Sequence, residues 1–377
     1  MKSLLFAAMC VMALSYLVLR RRTPSARLHS VDVILPAYNE EVCLEASIAN
    51  LLANPYVDRV ICVNDGSTDR TQEILAWCKS KWGDRLIAVN QANTGKGGAL
   101  MHGLEHARTA QVFLTDADTF VPPDEKGLGY LLAEIETGAD AVGGIPSSNL
   151  MNAGMLPYIR ATVKLPMIAI KRTFQQLTGG APFIISGACG MFRTDVLREN
   201  PFSDRTKVED LDLTWTLVAR GYRVRHCNQC IVFPQECNSI VDEWKRWRRW
   251  IVGFAVCMRL HAPLLFSRFG LFSILPMFAV ILIGLAAYST TMARASSHGA
   301  LAPLFVFFPL IWVAIVSGIA SISALHHRKL ALVPLAPFAI IYVLLSYAIW
   351  TVHGAKGLFT GREPARDKPT RYNYVVE

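Results

Sequence analysis

The run Val112-Phe113-Leu114-Thr115-Asp116-Ala117-Asp118 constrains this chain more than any other stretch. Its consecutive apolar residues read as a buried parallel strand, and two carboxylates one residue apart at its end put charge where sheet meets solvent. Such a pair offers hard oxygen ligands to Mg2+ or Mn2+, ions that keep open positions for water and substrate phosphate. An isolated Asp-x-Asp would more readily be an Asp-rich turn after a strand. Here it belongs to an ordered series of polar strand ends.

From about Val31 the pattern alternates strands with helices, the signature of an α/β sheet. Strands are expected over Val31 to Leu35, Arg59 to Val63, Leu86 to Val89, Val112 to Thr115 and Ala139 to Gly144. Helical spacing runs through Glu41 to Asn54, Thr68 to Trp82 and Gly97 to Thr109, with Asp65, Ser67 and Thr68 available as N-terminal caps. In an open α/β sheet ligands bind at the carboxyl ends of the strands, and the polar motifs fall there.

The chain is also 52% apolar, with a positive mean hydropathy, more than a soluble enzyme needs. Ser3 to Leu19 is uncharged and precedes Arg20, Arg21, Arg22 and Arg27. It reads as an anchor with its arginines in the cytoplasm; a signal peptide would need a small-residue cleavage motif, which does not follow. Leu271 to Ala293, Leu301 to Leu325 and Leu330 to Val352 lack Lys, Arg, Asp and Glu and are each long enough to span. If all span, the basic tail from Lys356 to Arg371 falls outside, against the positive-inside rule, so one segment is re-entrant or the tail tolerates the outside. Leu156 to Phe174 reads as an amphipathic helix at the membrane surface or a solvated helix of the domain, and Asp242 to Leu260 as a stronger case of the first, through Trp244, Trp247, Ile251, Phe254 and Met258 on one face. The net charge of +9 comes without a long basic run interleaved with aromatics, which points to lipid headgroups and phosphates rather than nucleic acid. Nine irregularly spaced cysteines in a chain too large to need stapling indicate a reducing, cytosolic setting for the central domain.

The strand ends carry specific chemistry. Tyr38 in PAYNEE and Asp65 in NDGSTD suit stacking on a base and accepting its imide N–H, against the plainer roles of a packed ring and a helix cap. Lys96 in NTGKGG lacks the Walker spacing but suits a diphosphate as a point charge. The small residues of Ser186-Gly187-Ala188-Cys189-Gly190 allow close approach of substrate to backbone. Asp210, in the first turn of a helix opening at Glu209, is kept ionised by the helix dipole and can accept a proton; simple helix-end electrostatics is the alternative. Arg246, Arg249 and Trp250 share one helical face, two guanidiniums for pyrophosphate beside an indole for a sugar ring. Cys227-Asn228-Gln229-Cys230 lacks a second such pair and reads as structural, two strands joined by an Asn-containing turn.

Taken in this order, PAYNEE, NDGSTD, NTGKGGAL, the Asp116/Asp118 pair, SGACG, VEDLDL and Arg246-x-x-Arg249-Trp250 resemble the family 2 inverting glycosyltransferases. The likeness is to the membrane-embedded, processive synthases of cellulose, chitin, hyaluronan and poly-N-acetylglucosamine, over about residues 31 to 255. The resemblance implies a GT-A fold, a UDP-sugar donor (N-acetylglucosamine favoured, because SGACGMFR resembles the corresponding loop of poly-N-acetylglucosamine synthases), and Mg2+ or Mn2+. It implies that Tyr38 and Asp65 hold the uridine, that Lys96, Asp116, Arg246 and Arg249 hold the diphosphate, and that Asp118, with Asp116, holds the metal. Asp210 would be the general base, and Trp250, Ser186, Gly187 and Glu209 would face the acceptor. The Arg246 form replaces the commoner QxxRW, and no cyclic-dinucleotide-binding domain follows. The expected organisation is an anchor over 1–22, a GT-A domain over 30–240, an interface helix over 241–262, membrane helices over 270–353 and a basic tail over 354–377. The expected partners are a UDP-sugar, a polysaccharide or glycolipid acceptor, membrane lipids, and an export subunit or second copy, with no nucleic acid. The expected location is the cell membrane, multi-pass, with the catalytic domain cytoplasmic. A single-sugar transferase making a glycolipid and a non-catalytic membrane scaffold remain as alternatives.

Overall fold

A computed structural model describes residues 30–123, 127–276, 289–290, 293, 296–297, 301–361, 363 and 371–372. The expected N-terminal anchor and most of the stretch from Leu271 to Ala293 lie outside the described residues. The strands are β1 (Val31–Ala37), β2 (Val57–Asp65), β3 (Leu86–Gln91), β4 (Gln111–Leu114), β5 (Thr119–Phe120), β6 (Ala141–Pro146), β7 (Gly190–Arg193) and β8 (Val224–Pro234). The helices interspersed with them are α1 (Leu44–Leu52), α2 (Thr71–Trp82), α3 (Gly95–Glu105), α4 (Gly127–Glu136), α5 (Met155–Gly179), α6 (Thr194–Glu199), α7 (Glu209–Ala219) and α8 (Ile240–Leu260), and α9 (Leu301–His327) follows.

The strands form one eight-stranded sheet in the order β3-β2-β1-β4-β7-β6-β8-β5. β1 pairs in parallel with β2 and β4, and β2 with β3, whereas β7 runs antiparallel between β4 and β6. The reversal is consequential, because a reversed strand is entered from the edge at which its neighbours end. The loop before β7 is thereby delivered to the carboxyl end of β4. The sequence reading located β1 to β4 and β6 but not β5 or β7. It also divided residues 224–234, which form one continuous strand, since Asn228 in mid-strand looks like a turn signal while its side chain in fact bonds Thr173 and His226.

Both faces of the sheet are covered, as the apolar runs require. Val33 and Leu35 of β1 enter a cluster with Leu44, Ile48, Leu75, Leu128 and Leu132, and Ile34 between them enters the opposite cluster with Leu100, Leu104, Leu211, Trp215 and Phe254. Each fully buried side chain of this kind stabilises the fold by about 1.5–3 kcal/mol.

The two helices read as amphipathic both pack against protein. In α5, Leu165 and Ala169 pack on Ile145 and Ile231, while Ile159 and Ala161 meet the C-terminal helical segments at Tyr342, Ile349, Ala324 and Leu332. Its cations suggested an exposed stripe, but they find buried partners. Arg160 pairs with Glu243, Lys164 with Glu236, and Arg172 donates to the Gly144 carbonyl. The apolar face of α8 is likewise covered by protein. Trp244, Trp247 and Ile251 pack with Tyr342, Leu345 and Ile349, and Phe254 and Met258 join the cluster of Trp215 and Phe269. Among the described residues one helical run, Leu332–Thr360 of 29 residues, is long and apolar enough to cross a membrane.

Candidate active site

The residues that carry chemistry gather along one edge of the sheet, at the carboxyl ends of β1, β2 and β4 and at the entry to β7. Three loops are stitched together there. Asn39, after β1, holds a φ of 55°, a region that Asn tolerates better than most residues. Its backbone N–H donates to Ser67 Oγ (2.9 Å) and its side-chain oxygen accepts from Thr68 N (2.7 Å). Gly66 closes the next junction: its φ is +69° and an added Cβ would stand 2.7 Å from Asn93 N, so no other residue fits. Tyr38, 41% exposed, is left at the rim.

Asp65 has its carboxylate taken up by the following loop. Oδ1 accepts from Gln91 Nε2 (2.7 Å) and Thr94 N (2.8 Å), and Oδ2 from Gly95 N (2.9 Å). It thus holds the start of α3. The expectation that Asp65, Ser67 or Thr68 caps the helix over 71–82 is not met; the N-cap is Arg70, which makes no side-chain cap bond, and Asp69 just before it accepts from Thr71 N at 3.0 Å.

Lys96, Asp116 and Asp210 converge around Gly187. The Lys96 ammonium pairs with Asp116 Oδ1, and Gly187 N donates to Asp210 Oδ2 at 3.0 Å. A Cβ on Gly187 would lie 2.6 Å from Lys96 Nζ and 3.6 Å from Asp210 Oδ2. The loop is pinned to β4 by Thr115 Oγ1, which donates to the Ala188 carbonyl at 2.9 Å. Ser186 accepts from Ala188 N at 3.4 Å within the same turn. Asp210 and Glu209 open α7, and both are near the floor of the site: burial first, then the neighbouring Glu209, push the Asp210 carboxyl above its ordinary value against the pull of Lys96 and the Gly187 and Leu211 N–H groups. A carboxylate raised in this way is a better proton acceptor.

Asp118 is buried, and its pKa is pushed up to about 6 by burial, with the Arg371 guanidinium pulling the other way. Arg371, near the C-terminus, bonds Asp118 and also donates to Glu40 Oε1 (3.0 Å) and Oε2 (3.1 Å). Asp116 and Asp118 form a hard-oxygen pair, each already facing a cation, and this donor set fits a divalent metal. Among the described residues no cage of three or more His, Cys, Asp or Glu is formed; Mg2+ or Mn2+ at such a pair takes its other ligands from water and substrate phosphate.

The RxxRW helix is held by a buried charge cluster that the sequence reading missed. Glu236 is bonded by Lys164 (2.5 Å) and Arg246 (2.7 Å), and Glu243 by Arg160 (2.9 Å) and Arg246. Arg246, expected at the diphosphate, is committed here to Glu236 and Glu243. Trp250 is 38% exposed, with the guanidiniums of Arg246 and Arg160 at 5.3 and 5.4 Å from its ring centre; Arg249 lies on the same face. Of the residues singled out from sequence, Asp116 is thus joined to Lys96, and Lys96 and Asp210 meet at Gly187, while Tyr38 and Asp65 flank them on the adjoining loops. Glu40 stood unassigned within PAYNEE. Arg371, 331 positions from Glu40, gave no local signal.

A mixed α/β sheet with β7 and the edge strand β5 reversed, and an Asp-x-Asp after β4, has the form of a nucleotide-sugar transferase of the GT-A class. The chain belongs to glycosyl transferase family 2, whose pattern matches residues 32–199. The uncharacterized glycosyltransferase YaiP of Escherichia coli (strain K12) is 64% identical over 382 residues, covering 100% of this chain and 95% of that one. Poly-beta-1,6-N-acetyl-D-glucosamine synthase of Staphylococcus aureus (strain COL) is 28% identical over 231 residues, 60% of this chain and 55% of its own. Among solved structures, a mannosyltransferase from Pyrobaculum calidifontis in complex with GDP-Man and Mn2+ superposes with a TM-score of 0.62 at 18% identity, over 96% of this chain and 98% of that one, a likeness of fold.

Proposed function

We propose that the protein is a membrane-bound, metal-dependent inverting glycosyltransferase that moves N-acetylglucosamine from its UDP donor to the end of a growing β-linked polysaccharide. The observation that carries this reading is the meeting of Lys96, Asp116 and Asp210 around Gly187, with Asp118 two residues on. The donor preference is supported by the similarity to the Staphylococcus aureus synthase, and the membrane setting by the apolar run Leu332–Thr360.

In this reading Tyr38 stacks on the base and Asp65 fixes the loop that presents Lys96. Lys96 and Arg249 hold the diphosphate, Asp116 and Asp118 hold the divalent cation, and Ser186, Gly187, Glu209 and Trp250 face the acceptor. The acceptor hydroxyl gives its proton to Asp210 as its oxygen attacks the anomeric carbon. The bond from that carbon to the phosphate oxygen breaks on the opposite side, and its electron pair leaves with the nucleoside diphosphate, so the configuration inverts. The bound cation supplies neutralisation of the leaving diphosphate. Arg246, held by Glu236 and Glu243, positions the Trp250 helix.

A second reading, transfer of one sugar to a lipid carrier, is favoured by the packing of the C-terminal helical segments directly against α5 and α8, which joins the site to an apolar surface. The test is sugar transfer by the full-length protein in detergent micelles with Mn2+ or Mg2+, across UDP-N-acetylglucosamine, UDP-glucose, UDP-glucuronate and GDP-mannose. Turnover of the first, lost on Asp210→Asn by roughly a hundredfold or more with donor binding retained, supports the reading. Undiminished activity of Asp210→Asn removes the base assignment, and turnover of another donor alone removes the donor.

A further inference from the structure

Glu40 and Asp118 come from different loops, after β1 and β4, and both are buried. Between them lies the guanidinium of Arg371, with Nη1 on Asp118 and with Nη2 and Nε on Glu40 at 3.0 and 3.1 Å. Its seat is held from a second side: Gln235 Nε2 donates to the Tyr372 carbonyl at 2.9 Å, and the Gln235 backbone N–H donates to the Asp118 carbonyl at 3.1 Å. Earlier in the tail, the Glu363 carboxylate accepts from Thr206 Oγ1 (2.6 Å) and Lys207 N (2.5 Å), just ahead of α7. The two described points of the tail therefore land on the cation side and on the base side of the same site.

Charge decides what this contact does. Glu40, Asp116 and Asp118 bring three negative charges and Lys96 one positive, which leaves two to be balanced. A divalent ion would balance them alone, and Arg371, on Asp118 Oδ2, balances one of them from the same carboxylate. A guanidinium and a divalent cation in contact with one buried carboxylate repel each other strongly. We infer that Arg371 is a tethered cation occupying the divalent-metal position at Asp118, so that metal binding and docking of the C-terminal residues Arg371 and Tyr372 exclude one another. This rests on the reading of Asp118 as the metal carboxylate.

The test uses the full-length protein in detergent micelles with Mn2+ as the probe. Free Mn2+ is followed by electron paramagnetic resonance, and hydrogen exchange is followed in the peptide that contains Arg371 and Tyr372. Saturating Mn2+ is expected to speed exchange of that peptide severalfold in the unaltered protein. Arg371→Gln is expected to bind Mn2+ about tenfold more tightly, as when a site competent one-tenth of the time becomes always competent, and to gain a larger rise in melting temperature from Mn2+. Exchange that stays the same or slows when Mn2+ is bound overturns the inference, as does equal or weaker Mn2+ binding by Arg371→Gln. Asp118→Asn separates this failure from that of the underlying reading: if it binds Mn2+ as well as the unaltered protein, Asp118 is not the metal carboxylate and both fall.

Discussion

Gly187 shows how much of the chemistry rests on a single missing side chain. Lys96 arrives from α3 and Asp210 from α7; Asp210 bonds the Gly187 N–H, and Lys96 reaches the loop before β7 only because that loop carries hydrogen where a Cβ would stand 2.6 Å from the lysine nitrogen. The lysine end is flexible, so Gly187→Ala would be accommodated by displacing Lys96 and not by unfolding. An ångström of displacement at a reacting centre is worth roughly a hundredfold in rate, and that loss is expected in initial rates at saturating donor, with the melting temperature nearly unchanged. Lys96, Asp116, Asp118 and Asp210 were legible in the sequence because each ends a strand or opens a helix with a polar group where an apolar pattern stops. The actual partners of Asp65 were not: its acceptors are filled by backbone N–H groups of a loop 29 and 30 positions on, and backbone donors leave no mark in residue identity.

Between elements, the buried charges of α5, of the loop after β8 and of α8 do what apolar side chains do elsewhere. Arg160, Lys164 and Arg246 face Glu236 and Glu243 with partners on every carboxylate. Replacing Glu236 by Gln would leave three cations against one carboxylate in a buried site, a change expected to cost about 3–5 kcal/mol and to be read as a lowered denaturation midpoint in detergent. A periodic pattern cannot distinguish this cluster from a solvated face, since the spacing of the charges is the same in both; that is why the cations of α5 suggested an exposed stripe. Asp212 joins α7 to the end of α8 in the same manner. Burial raises its carboxyl, but bonds from His261, Arg205 and Ser203 outweigh burial and bring the pKa down to about 2 from 3.8. A carboxylate whose folded value is depressed contributes stability that is present above pH 4 and disappears as pH falls toward 2, here about 2 kcal/mol. Thermal melts at pH 5 and pH 3 should therefore show a steeper acid loss in the unaltered protein than in Asp212→Asn.

For the whole molecule, the consequence of the fold is that the apolar C-terminal helical segments pack along α8, the helix that also carries Trp250. The strand and helix order of the catalytic domain was largely readable, since alternating apolar runs of strand and helix length admit few other arrangements. The packing of the late apolar segments was not, because a helix that faces lipid and one that faces protein carry the same residues; Tyr342, Leu345 and Ile349 turn out to cover Trp247 and Ile251. Trp250 remains partly open on the same helix, 38% exposed and flanked by Arg160 and Arg246. An exposed indole offers a flat apolar surface to the C–H face of a sugar, and a synthase that extends a chain must hold the terminal sugar there while its hydroxyl meets Asp210. If the enzyme is processive, incubation with donor yields a ladder extending to long β-linked products, and Trp250→Ala shortens that ladder while leaving donor hydrolysis in place. Resolving the products by size decides the matter: a single sugar on a lipid carrier from the unaltered protein selects the glycolipid reading, and an unchanged ladder from Trp250→Ala assigns the acceptor platform elsewhere.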